Sequence, residues 1–136
     1  MAATNLIQAE QFIDHPPDGV WKALTTPALL AEWWAAGDIR PEVGHRFTID
    51  MGAWGLKPCE VLAVDPERAI SYVFAAGTLN TIILWRLEPE GPGTRLVLEH
   101  RGFDLYSPMG QAAFQAMSQG WPVVLARIGP VLSEAA

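Results

Sequence analysis

Residues 5–14 alternate loosely between polar and apolar positions, with Leu6-Ile7 and Phe12-Ile13 as the apolar pairs, and predict a first strand. The period then lengthens. Val20, Trp21 and Leu24 form one apolar face, and Leu29, Leu30, Trp33 and Trp34 form a second. Thr26-Pro27 lies between them, and proline suits a first helical turn but breaks a helix interior. The spacing therefore predicts two short helices, 17–26 and 27–35. Gly37-Asp38 and Pro41-Glu42-Val43-Gly44 are turn signals. Five strand candidates follow, at 45–51, 57–64, 69–75, 79–88 and 94–101. Their alternation sets Phe47, Ile49 and Met51 on one face, then Cys59 and Val61, then Ile70, Tyr72 and Phe74. In the last two, Thr81, Ile83, Trp85 and Leu87, and then Leu96, Leu98 and His100, share the inward parity. The stretch from Glu88 to Gly93 reads as a hairpin connection.

After Ser107-Pro108 the period returns to 3.6, with Phe114, Met117, Trp121, Val124, Leu125, Ile128 and Leu132 on one face of a long helix. Pro122 removes a backbone donor and clashes with the Ser118 carbonyl, and Gly120 loosens the backbone. The helix is therefore expected to bend or break near 118–122, with Gly129-Pro130 disturbing its end. Successive strands with short connections pair antiparallel. The order predicts an α+β domain, a curved sheet of about six strands closed by the C-terminal helix.

The 136 residues predict one domain over 1–136, large enough for a core. A net charge of −6 argues against a nucleic-acid partner, and no apolar run is long enough for membrane insertion. Cys59 is the only cysteine, and with no signal-peptide pattern it points to a reducing cytoplasm. No metal or cofactor is expected: His15, His45 and His100 lack ligand spacing, and no nucleotide-binding or nucleophile motif occurs.

The aromatic content changes the picture more. Trp33, Trp34, Trp54, Trp85 and Trp121 are expected to converge beneath the long helix. A sheet curled around a helix leaves a gap there, and an apolar gap with few polar groups is the default small-molecule site. The expected lining is Trp33, Phe47, Met51, Tyr72, Phe74, Trp85, Leu98, His100, Phe114, Met117 and Trp121. Within it, His100 titrates nearest neutrality and Tyr72 brings a hydroxyl, so these two are the candidates for proton transfer. Outward parity on the fourth of the five later strands places Ile82 and Leu84 beside Arg86, a candidate surface for a homodimer.

The chain also resembles the START/polyketide cyclase-like (SRPBCC) superfamily, in the branch of activator of heat-shock-protein-90 ATPase homologue-like domains. The resemblance is carried by Pro17-x-x-Val20-Trp21-x-Ala23-Leu24-Thr25-x-Pro27, Trp33-Trp34, Gly44-x-x-Phe47 and Glu60-Val61-x-x-Val64-x-Pro66. The Leu87-x-Pro89 to Gly93-Thr94-x-Leu96 hairpin and Gly120-Trp121 complete it. Val43-Gly44-His45 and Pro122 depart from the family pattern. The resemblance implies a helix-grip fold. It leaves three functions open: binding of a small apolar or aromatic molecule, cyclase- or hydrolase-type catalysis through His100 or Tyr72, and regulation of a chaperone ATPase. Binding leads, because the residues form no catalytic constellation.

Overall fold

The structure is a computed structural model and describes residues 5–135. Six antiparallel strands form one open sheet in the order β1-β6-β5-β4-β3-β2, so β1 and β2 are its edges. The strands are β1 (Leu6–Ile13), β2 (Arg46–Asp50), β3 (Leu56–Asp65), β4 (Ala69–Phe74), β5 (Thr81–Glu90) and β6 (Gly93–Arg101). Helices α1 (Pro17–Thr25) and α2 (Pro27–Trp33) follow β1, and α3 (Pro108–Leu125) and α4 (Ile128–Ala135) close the chain. This is the helix-grip arrangement, with the two short helices after the first strand.

Proline sets the helix starts. Pro17, Pro27 and Pro108 each stand in a first turn, where the missing N–H costs nothing. Ser107 caps α3 by accepting the Gly110 N–H at 2.9 Å. Gly110 is required there, since a Cβ would overlap the Asp104 carbonyl. In the sheet, the inward parity holds: Ile70, Tyr72 and Phe74, then Thr81, Ile83, Trp85 and Leu87, then Leu96, Leu98 and His100, are all buried. On β3 the parity changes at a bulge. Val61 faces Tyr72 and Ala63 faces Ser71, so Leu62 is the extra residue. Beyond it Val64, not Ala63, packs against the core.

The β5–β6 connection is shorter than the sequence suggests. The ladder continues to Glu90 opposite Gly93, which leaves a two-residue turn with Gly91 (φ 56°) in its first position, as a type II′ turn requires.

The expected break at 118–122 is not there. Helix α3 runs through Pro122 and stops at Leu125, and the interruption falls at Ala126-Arg127. Proline removes a single helical bond, the one to the Ser118 carbonyl, and burial of Trp121 and Leu125 on the same face outweighs that loss. The Arg127 N–H bonds back to Val124 at 3.0 Å, a tighter turn that ends the helix. Gly129 and Pro130 then fall in the first turn of α4, where neither harms it. No helix among the described residues is long and apolar enough to cross a membrane.

Candidate functional site

Four tryptophans meet between the sheet and the helices. Trp33 stands edge-on to Trp85 with centroids 5.7 Å apart, and Trp85 stands edge-on to Trp121 at 5.5 Å. Trp34 lies 4.9 Å from Trp121 and 6.1 Å from Phe74. These are favoured edge-to-face or tilted geometries, and each buried indole N–H has an acceptor. Trp33 donates to the Ala23 carbonyl at 2.8 Å, and Trp85 donates to the Tyr72 hydroxyl at 2.9 Å.

Trp121 begins a longer chain. Its Nε1–H donates to His100 Nδ1 at 3.1 Å. An indole nitrogen can only donate, so Nδ1 must be unprotonated, and the proton of the neutral ring sits on Nε2. That Nε2–H donates to Thr81 Oγ1 at 2.8 Å, and the Thr81 hydroxyl donates onward to the Phe74 carbonyl at 3.2 Å. Every member is buried and every polar atom is satisfied. Burial pulls His100 down to about 3 from 6.5, because it strips the charged ring of its hydration. Burial likewise raises the Tyr72 hydroxyl, against the opposing bond from Trp85. The Cys59 thiol is pushed up to about 12 by the same cause and is unreactive as a thiolate source.

The space expected beneath the helix is therefore occupied. Trp33, Tyr72, Trp85, Leu98 and His100 are packed core, and Phe47 is spent edge-on against Tyr72 at 5.3 Å. Phe114 is half-buried against Phe103. Large rings on both sides of the gap fill it, as close packing demands.

An open cleft remains at one side. Helix α3 lies closest to the backbone of β1, at one edge of the sheet. Toward the other edge it stands away from the β2–β3 hairpin and the 3-10 turn at Gly52–Trp54. A cavity of about 300 Å³ opens there, lined by Met51, Trp54, Lys57, Phe74, Leu79, Met109, Ala112, Ala113 and Met117. A second, of about 120 Å³, shares Met51, Trp54 and Met117 and continues to Trp34, Ala116, Gly120, Trp121 and Val124. The gap persists because α3 presents Ala112, Ala113, Ala116 and Gly120 to it. Trp54 and Met109 form the rim and are 54% and 58% exposed.

Of the expected lining, Met51, Phe74, Met117 and Trp121 reach this cleft. The others do not. Lys57, Leu79, Met109, Ala112 and Ala113 are additions. Met109 was legible, since it precedes Ala113 and Met117 by helical steps of four. Lys57 was legible too, as it shares the inward parity of Cys59 and Val61. On the outer sheet face, Ile82 and Leu84 are half-buried, and Arg86 donates to Glu99 at 2.6 Å.

Similar solved structures share this architecture. Protein MLL2253 from Mesorhizobium loti is 35% identical with a TM-score of 0.85, and the match covers 96% of this chain and 98% of that one. Protein BH1534 from Bacillus halodurans is 24% identical, with a TM-score of 0.82 over 97% and 99% of the two chains. The Aha1 dimer from Colwellia psychrerythraea is 19% identical, with a TM-score of 0.75 over 93% and 95%. No curated protein sequence matches. The family described as activator of Hsp90 ATPase homolog 1-like protein matches residues 14–133, nearly the whole chain. The chain therefore belongs to the activator of Hsp90 ATPase homolog 1-like family.

Proposed function

We propose that this protein acts as one START-like domain over 1–136 that binds a small apolar or aromatic molecule in the cytoplasm, in the cleft between α3 and the β2–β3 edge. The cleft itself carries the reading: about 300 Å³ of space walled by methionine, tryptophan, phenylalanine, leucine and alanine. That volume lies at the small end of ligand sites. Methionine and alanine walls adapt to several ligand shapes. Binding is supported over turnover because both ring nitrogens of His100 are already used inside the core, away from the cleft. The test is tryptophan fluorescence during a titration with decanol, since Trp54, Trp34 and Trp121 border the space. A saturable change is expected, and Ala112→Phe, at an exposed helix position, should abolish it by filling the cleft. An identical response in that variant would remove the reading. A changed chaperone ATPase rate on adding the protein, with no ligand bound, would favour regulation of a chaperone instead.

Self-association through the outer sheet face belongs to the same proposal. It is motivated by Ile82 and Leu84 and by the dimer reported for the Colwellia protein. Light scattering should show a dimer at high concentration, and a monomer mass at every concentration would dismiss it.

A further inference from the structure

We propose that the occupant of this cleft carries a carboxylate on its apolar body, and that Lys57 is the residue that reads it. The inference rests on the cleft-binding reading above and adds the ligand's charge. Among the described residues Lys57 is the only charged one lining either cavity. Its position is unusual for a lysine. Cys59 and Val61, at the next positions of the same parity on β3, are buried, and so is Ile49, directly across on β2. Strand geometry thus directs a half-buried lysine toward the core side of the sheet.

The ammonium of a lysine so placed favours an anionic partner. Among the described residues no carboxylate pairs with it, and the ion pairs there all belong to arginines. The acids of the same hairpin are engaged elsewhere. Glu60 accepts from Arg46 at 3.1 Å, and Asp50 accepts the Gly52 N–H at 2.9 Å. The stem of Lys57 lies along the apolar wall, and its charge marks where a ligand's anionic end would lie. The opposing walls, Met109, Ala112 and Met117, offer no polar side chain to a second head group. One apolar body with one anionic end is the chemistry that this distribution recognises.

Decanoate and decanol separate the two claims, because they share a chain and differ only in the head. At neutral pH and low salt, decanoate should bind about tenfold more tightly than decanol, the worth of a hydrogen bond to a charged group. Lys57→Met keeps the unbranched stem and removes the charge. Within that variant decanoate should bind no more tightly than decanol, and saturable decanol binding by the variant shows that it is folded. In the wild type, added salt should narrow the preference, since a half-exposed pair is screened. Equal affinities in the wild type, a preference that survives in Lys57→Met, or a preference indifferent to salt would each overturn the inference and leave the cleft reading standing. Binding of neither probe would defeat both.

Discussion

Replacing Trp121 by alanine is expected to destabilise the fold by about 5 kcal/mol. Removing a buried tryptophan costs about 3–5 kcal/mol through lost burial and the cavity left behind. Trp121 contacts Trp34 and Trp85 and is 2% exposed, so little can collapse into the space. A second cost is chemical. Without the indole donor, His100 Nδ1 becomes a buried acceptor with no partner, a penalty of about 1–3 kcal/mol. Trp121→Phe should restore most of the packing and none of the hydrogen bond, which separates the two costs. Trp54→Ala is the control: at 54% exposure it should change stability by less than about 1 kcal/mol. Urea denaturation measures all three. Equal costs for Trp121→Ala and Trp54→Ala would contradict the packing described here.

His100 makes stability depend on pH. Its folded value is about 3 against 6.5 for the free group, so between these pH values the unfolded chain holds a proton that the folded chain refuses. Stability therefore rises with pH across this window. It is complete above 6.5 and is lost as the pH falls toward 3. The slope is about 1.4 kcal/mol per pH unit well inside the window, and the total is on the order of 5 kcal/mol. His100→Gln carries no such proton, and its stability should fall less on acidification. The comparison is made between pH values of about 6.5 and 5, before most carboxylates titrate. Parallel acid profiles for wild type and variant would show that the ring is not held neutral.

The hydrogen-bond chain explains why His100 was legible as inward-facing but not as inert. Strand parity placed its ring with Leu96 and Leu98, and the structure keeps it there. Parity says nothing of tautomers. What decides its chemistry is a donor on α3, Trp121, and an acceptor on β5, Thr81, each distant in sequence. The fold itself was readable because long amphipathic stretches outvote local irregularities. Pro122 shows the same rule where the local signal misled: one lost hydrogen bond does not break a helix whose next turn buries Leu125.

The site was less legible, for a packing reason. Alternation and helical period name the residues that face inward, yet they do not say which of those faces meet. Large rings at Trp33, Trp85 and Trp121 met and closed the centre. Small residues on α3, Ala112 and Ala113, left the side open. Small residues carry no strong hydrophobic pattern of their own, so the helix side of the cleft is not legible in the sequence at these positions. Lys57 is hard to assign from sequence because it stands at the start of the strand expected at 57–64, where parity is read from the apolar neighbours that follow.

Locating a bound ligand on the protein tests the cleft most directly. In a titration of isotope-labelled protein with decanoate, followed through backbone amide chemical shifts, changes are expected around Met51 to Lys57, at Phe74 and Leu79, and along Met109 to Met117. The amides of β1 and α4, which border neither cavity, should stay still. Shifts spread evenly over the chain, or confined to the outer sheet face, would contradict a ligand held between α3 and the β2–β3 edge.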